Sequence, residues 1–309
     1  MDSLRLVFAG SPAAAVPSLN RLTESTHAVV AVVTRADSAH GRRGILTPTP
    51  VAVVAEQRGL PIIRTNRLAG EPTEQLVRMQ ADLGVIVAYG ALIREPLLSA
   101  PRLGWINLHF SLLPRWRGAA PVQNAIIAGD EVTGATVFQL VADLDAGAVL
   151  GTMTQPIGKE QNAASLLHAL AQSGSILLEQ VVDALADRTV QAVPQTGEAT
   201  WAPKLDPAIG RIPWTEQART VHDLIRGVTP EPGAFTDIGG QRLKVLSATV
   251  ARDAARLSPG LIEGNSRSVF VGTATEPIEL LVVQPAGRRS MDAASWWRGV
   301  AHHGPVVAS

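Results

Sequence analysis

The sequence predicts an α/β protein, with a doubly wound, mostly parallel sheet in its N-terminal part and a smaller, OB-like β-barrel at its C-terminal end. Three observations carry this. Short β-branched runs alternate with helix-like segments through the first half, and continuous apolar strands separated by helices build a parallel sheet covered on both faces. A polar stretch holding proline and glycine, Thr189 to Thr200, interrupts that pattern. Beyond it come one helix and then short strand candidates spaced by turn residues, the rhythm of a small barrel.

In chain order, the buried strands are expected at Leu4–Ala9, Ala28–Val33, Leu60–Ile63, Leu83–Ala88 and Trp105–His109. Helical stretches lie between them at Ala13–Leu22, Pro50–Arg58, Glu71–Met79 and Arg94–Leu98. Two more strands, Thr136–Leu140 and Val149–Gln155, precede a long amphipathic segment, Ala163–Ala186, that closes the domain. The expected division is a first domain over 1–188, a linker over 189–205 and a β domain over 206–309. The β domain is expected to hold a helix at Glu216–Arg226 and strands at Leu243–Val250, Gly260–Glu263, Ser268–Val271 and Ile278–Gln284. A doubly wound sheet places its ligand at the carboxyl ends of the strands.

Composition narrows the function classes. The chain of 309 residues has 27 basic and 27 acidic side chains, so no global field selects nucleic acid, membrane or an acidic substrate. A charged partner must meet a local patch. Lysine appears only at Lys159, Lys204 and Lys244, so a phosphate-facing patch has to be built from arginine, which suits bidentate contacts. With no cysteine there is no disulfide, thiolate nucleophile or Cys-type zinc site. The first residues lead straight into a strand rather than a charged leader, and the longest uncharged apolar stretch, Leu83 to Ile93, is short of the roughly 20 residues a spanning helix needs. A cytoplasmic protein with no membrane partner is expected.

The most informative stretch runs from Gly104 to Pro121. Side chains alternate along a strand, so Asn107 and His109 point the same way at a strand's carboxyl end. An imidazole exchanges a proton near neutral pH, and an amide N–H can donate to a developing oxyanion, a pairing suited to attack on a carbonyl carbon. The bland alternative is that the two residues terminate a strand and satisfy loop carbonyls. The long Pro/Gly-rich loop that follows, from Ser111 to Gly118, favours a site. Asp145, in the turn Asp143-Leu-Asp145-Ala-Gly147, has the chemistry to orient a catalytic histidine, although spacing alone leaves its distance from His109 open.

The run HFSLLPRWRGAAP, followed by GDEVTGATVFQLVADLDAG, resembles the signature of folate-dependent formyltransferases. From VFAGSP (Val7–Pro12) through VAYG (Val87–Gly90) to QPAGRRSM (Gln284–Met291), the chain is similar to the branch of that family that acts on methionyl-tRNA. The resemblance implies that Asn107, His109 and Asp145 are catalytic and that Ser111, Leu112, Leu113 and Pro114 border a tetrahydrofolate site shared with Val87, Tyr89 and Gly90. It further implies 10-formyltetrahydrofolate as formyl donor and initiator methionyl-tRNA as acceptor. No metal is expected, since no ligand set is evident, and a monomer is expected because the acceptor is large and nothing marks an obligate interface. The sequence departs from the family pattern at Arg43, Ala146, Ala148, Pro213 and Glu231, none of them a catalytic position.

Between Thr34 and Pro50 a loop carries Arg35, Arg42 and Arg43 against one acid, Asp37. By charge alone it reads as a solvated loop; the resemblance implies an insertion that reaches the acceptor end of tRNA, with Arg42 and Arg43 as the foremost contacts. Competing motifs are weak. Gly10-Ser-Pro12 lacks the glycine spacing of a dinucleotide or P-loop cradle. The adjacent His302 and His303 have no companion ligands and read as a tail, and Trp296-Trp297 reads as a core seal. A formyltransferase of amino sugar nucleotides would share the catalytic motif but needs no basic insertion. A purine-pathway formyltransferase needs no appended domain, and a non-catalytic RNA-binding module leaves Asn107, His109 and Asp145 unexplained.

Overall fold

The structure is a computed structural model that describes residues 2–40, 44–300 and 305–309. It divides into two compact units. The first comprises Met1–Pro121, Thr133–Gln155 and Leu167–Ala202; the second comprises Val122–Val132, Pro156–Leu166 and Pro203–Ser309.

The chain begins β1 (Arg5–Gly10), α1 (Val16–Glu24), β2 (Ala28–Thr34), β3 (Ser38–His40), β4 (Ile45–Thr47), α2 (Pro50–Gln57), β5 (Ile62–Arg64), α3 (Glu71–Arg78), β6 (Leu83–Val87) and β7 (Trp105–His109). It continues with β8 (Arg117–Gly118), α4 (Pro121–Ile127), β9 (Val132–Gln139), β10 (Val149–Pro156), α5 (Ala163–Ala186) and β11 (Trp201–Ala202). Seven strands form one sheet in the order β10-β9-β7-β6-β1-β2-β5. The pairings β5-β2, β2-β1, β1-β6 and β6-β7 are parallel, and β9 joins β7 antiparallel. This is the mostly parallel, doubly wound sheet the alternating pattern implies.

The reason the apolar runs become central strands is visible in β6, whose five residues are all buried. Gly84 is required there because a Cβ would lie 2.1 Å from the indole of Trp105 on the neighbouring strand. Trp105, 1% exposed, fills that space and donates from Nε1 to the Leu97 carbonyl at 2.8 Å. Helix α2 starts where it does because Pro50 opens the first turn and the Thr49 hydroxyl accepts from the Ala52 N–H at 3.0 Å. The same hydroxyl meets that of Thr34 at 2.6 Å, so the two ends of the 34–50 insertion are tied together. Within the insertion, β3 and β4 pair antiparallel, where the sequence reads as loop.

The helix expected over Arg94–Leu98 is a series of hydrogen-bonded turns. Pro96 lies within it, lacks an N–H to donate, and disfavours the helical conformation of Glu95. Residues read as a polar linker also have structure. Val193 bridges Val149, and β11 pairs parallel with β8.

The second unit contains α6 (Ala218–Gly227), β12 (Ala234–Ile238), β13 (Gln241–Val250), β14 (Leu261–Gly264), β15 (Val269–Val271), β16 (Ile278–Pro285), β17 (Met291–Asp292), α7 (Ala293–Arg298) and β18 (Val306–Val307). Its sheet runs β12-β13-β16-β15-β14-β18. It closes on itself, because Ile238 of β12 bridges Ala308 beside β18 and Asp237 exchanges two backbone hydrogen bonds with Ser309. The expected small barrel is therefore what forms. Its interior is filled by Val245, Val269, Ile278 and Leu280, with Trp214, Ile225 and Trp297 packed among them. Trp297 thus seals a core, as its position in a short terminal helix implies.

Candidate active site at the end of the sheet

Strand β7 lies between β6 and β9, which brings Asn107 beside Ile86 on one side and Phe138 on the other. Two residues on, His109 pairs with Thr136 and makes a T-shaped ring contact with Phe138, with centroids 6.4 Å apart and planes at 83°. Thr136, fully buried, fixes the loop that follows: its hydroxyl donates to the Ser111 carbonyl at 2.7 Å and accepts from the Leu113 N–H at 3.2 Å. The Ser111 hydroxyl then donates to the Arg115 carbonyl at 2.6 Å, drawing the loop into a compact turn.

That turn sets the histidine's tautomer. Trp116 adopts a positive φ of 64° and its carbonyl accepts from His109 Nε2 at 2.8 Å. A carbonyl only accepts, so Nε2 carries the hydrogen and Nδ1 holds the lone pair in the neutral ring. Facing Nδ1 at 3.8 Å is Oδ2 of Asp145. The same oxygen accepts from the Gly118 N–H at 2.8 Å, and Asp145 itself sits at φ 48°, a left-handed conformation that a non-glycine residue adopts only under local constraint. Both side chains are buried, His109 at 6% and Asp145 at 7% exposed.

Burial pushes the pKa of His109 below the ordinary histidine value, while the Asp145 carboxylate and the Trp116 carbonyl pull it back up. The ring is therefore a neutral base whose conjugate acid would form directly against a carboxylate. Asn107 is half-buried, and its side-chain amide makes no hydrogen bond among the described residues. A free amide donor, a base at Nδ1 and a carboxylate beside it suit addition to a carbonyl carbon.

The remaining candidates fall in different places. Leu112 and Pro114 are half-buried in the loop after β7, with Ser111 and Leu113 beneath them. Val87 is fully buried, and Tyr89, 1% exposed, turns into the core and donates its hydroxyl to the Thr65 carbonyl at 2.8 Å. Burial raises the Tyr89 pKa against the opposing charge of Arg35. Of the Val87–Gly90 segment, Ala88 and Gly90 are the exposed positions. Arg35, expected on nucleic acid, rests its guanidinium on the Gly90 carbonyl at 3.2 Å, while Arg42 and Arg43, like His302 and His303, lie outside the described residues. No three His, Asp or Glu side chains converge as a metal site among the described residues.

Sequence reasoning missed the residues that brace this site. The Thr200 hydroxyl accepts from the Trp116 N–H at 2.9 Å and its carbonyl from the Arg117 N–H at 2.8 Å, while the Ala202 carbonyl accepts from Ala119 at 2.8 Å. Gly118 is needed for that approach, since a Cβ there would lie 2.6 Å from the Ala202 carbonyl oxygen. A polar stretch with proline and glycine carries no periodic signal that could have announced these contacts.

Residues 4–182 match the family model described as formyl transferase, and residues 204–301 match that of the formyl transferase C-terminal domain. The chain is 57% identical over 297 residues to the methionyl-tRNA formyltransferase of Clavibacter michiganensis subsp. michiganensis, covering 96% of this chain and 97% of that one. It is 50% identical to the methionyl-tRNA formyltransferase of Acidothermus cellulolyticus, with the same two coverages. Among solved structures, an N-formyltransferase from Helicobacter canadensis in complex with folinic acid and dTDP-3-aminofucose superposes with a TM-score of 0.70 at 16% identity, over 91% of this chain and 99% of that one. HypX from Aquifex aeolicus in complex with tetrahydrofolic acid gives 0.66 at 16% identity, over 96% and 47%.

Proposed function

Since the chain belongs to the formyl transferase family over both of its units, we propose that it moves the formyl group of 10-formyltetrahydrofolate to the α-amino group of methionine esterified to initiator tRNA. Relatives of that activity align along nearly the whole chain. The observation that carries the assignment of roles is the pairing of a buried His109 with Asp145 at 3.8 Å, two residues beyond a half-buried Asn107 whose amide is free.

The methionine amine attacks the formyl carbon, a C–N bond forms, and the carbonyl oxygen becomes an oxyanion. Asn107 donates a hydrogen bond to that oxygen. His109 takes the proton released by the attacking amine at Nδ1, where the Asp145 carboxylate stabilises the imidazolium, and returns it to the folate nitrogen as the C–N10 bond breaks. No covalent enzyme intermediate is required. Leu112, Leu113 and Pro114 border the folate with the exposed backbone of Ala88 and Gly90. Arg42 and Arg43 meet the tRNA acceptor end, and residues 206–309 hold the rest of the tRNA. In this reading the protein acts as a monomer in the cytoplasm.

The test is formylation by His109→Gln and Asp145→Asn. Each should lower kcat by about 10²- to 10⁴-fold, the usual share of general acid–base catalysis, with the melting temperature near that of the unaltered protein. An undiminished rate in either would remove that residue from the mechanism.

A further inference from the structure

Asp145 is held in a left-handed conformation, and something must hold it there. Besides the bond from the Gly118 N–H, a side chain from the stretch whose composition reads as linker is hydrogen-bonded to this turn. Gln195 is half-buried while its neighbours Pro194 and Thr196 are exposed. Its Nε2 donates to the carbonyl of Asp145 at 2.8 Å and to that of Gly147 at 2.9 Å, so both amide hydrogens are used on the turn that carries the carboxylate. Its Oε1 accepts from Arg117 at 3.2 Å (Nε) and 2.6 Å (Nη2).

Arg117 precedes Gly118, whose N–H donates to Oδ2 of Asp145. One carboxamide therefore joins two segments that meet at the carboxylate: the loop that caps His109 and the turn that supplies Asp145. Gly147 has no room for a side chain here, because a Cβ would fall 1.6 Å from the Gln139 carbonyl oxygen, so the turn packs closely on the end of β9. Two donors aimed at two carbonyls and an acceptor aimed at a guanidinium are what an amide supplies. A carboxylate keeps only the bond with Arg117.

We propose that Gln195 is a positioning residue for the reaction: it locks Arg117–Gly118 to the Asp145–Gly147 turn and so fixes the Asp145 carboxylate against His109. This rests on the roles proposed above for His109 and Asp145.

The experiment compares Gln195→Met and Gln195→Glu, both close to glutamine in size, with Asp145→Asn and the unaltered protein in the formylation of charged initiator tRNA. Both Gln195 variants should lose kcat by about 10- to 100-fold, as misplacement of a catalytic group by about 1 Å does, with KM for folate and tRNA unchanged. The groups facing His109 are the Asp145 carboxylate, the Trp116 carbonyl and the Phe138 ring. Asp145 raises the histidine's pKa, so its retreat should also move the acid limb of the rate–pH profile to lower pH in Gln195→Met, which adds no charge. A purely structural role would leave that limb where it was.

Wild-type kcat in either Gln195 variant, or an unmoved acid limb in Gln195→Met, would overturn the proposal, as would a rise in KM alone. Loss of folding in both Gln195 variants would replace positioning by a structural role. A crippled Asp145→Asn beside unimpaired Gln195 variants sinks this inference and leaves the catalytic roles standing; a fully active Asp145→Asn removes both.

Discussion

At the scale of single residues, the proposed mechanism turns on opposed effects on one imidazole. Burial lowers the pKa of His109 and Asp145 opposes that fall; in the proposed mechanism this is the carboxylate's contribution to taking a proton from the amine. Replacing Asp145 by asparagine removes the charge that raises the pKa, so the acid limb of the rate–pH profile should shift to lower pH while the maximal rate falls. A shift to higher pH would show that the carboxylate does something other than stabilise the imidazolium. In the proposed mechanism Asn107 has a separable role. Asn107→Ala should reduce kcat about 10²- to 10³-fold, the cost of one oxyanion donor, with no movement of either pH limb. That the two residues on β7 share a face was legible from strand alternation, because a period of two fixes which side chains point the same way. Their catalytic reading came from the loop that follows and from the family resemblance. The distance to Asp145 was not, because a turn much further along the chain can lie anywhere until the β7-β9 register places it.

At the scale of elements, what alternation and apolar runs encode was legible, and what depends on backbone pairing between distant segments was not. Strands β1, β2, β6 and β7 fall where the apolar runs place them. The turns over 94–98 and the β3–β4 hairpin escaped, the first because proline outweighs a weak helical pattern, the second because a three-residue strand leaves no period to read. The tight fit of β6 on β7 makes a stability forecast: Gly84→Ala forces a Cβ into the Trp105 indole and should destabilise the first unit by at least about 1–3 kcal/mol in chemical denaturation. In the second unit, His222 is buried on α6 with Nε2 3.1 Å from the Ala248 carbonyl and 3.3 Å from Glu160. Burial depresses its pKa below the ordinary 6.5, against the pull of Glu160. The unfolded chain then takes up a proton that the folded one resists, so stability is full above about pH 6.5 and declines as pH falls toward the folded value. Urea midpoints at about pH 7.5 and about pH 5.5 should show that fall, and His222→Gln should reduce it, the buried His109 contributing in the same direction; an equal slope in both proteins would exclude His222 as a source.

At the scale of the whole molecule, the question is the acceptor. The sheet-end site fits formyl transfer in general, and solved structures of similar fold include an enzyme crystallised with an amino sugar nucleotide. What points to tRNA is the identity to methionyl-tRNA formyltransferases along nearly the whole chain, together with the arginine-bearing insertion whose ends Thr34 and Thr49 tie down. Replacing Arg42 and Arg43 together should raise KM for tRNA and lower the salt dependence of binding by about one unit of slope for each phosphate these arginines neutralise, leaving folate KM alone. An unchanged salt slope would detach the insertion from the tRNA. The most direct measurement offers the purified protein charged initiator tRNA and dTDP-3-aminofucose in one reaction, with 10-formyltetrahydrofolate as donor. Formyl label should appear on the methionyl-tRNA and not on the sugar nucleotide; label on the sugar nucleotide, or on neither, would overturn the assignment of tRNA as acceptor.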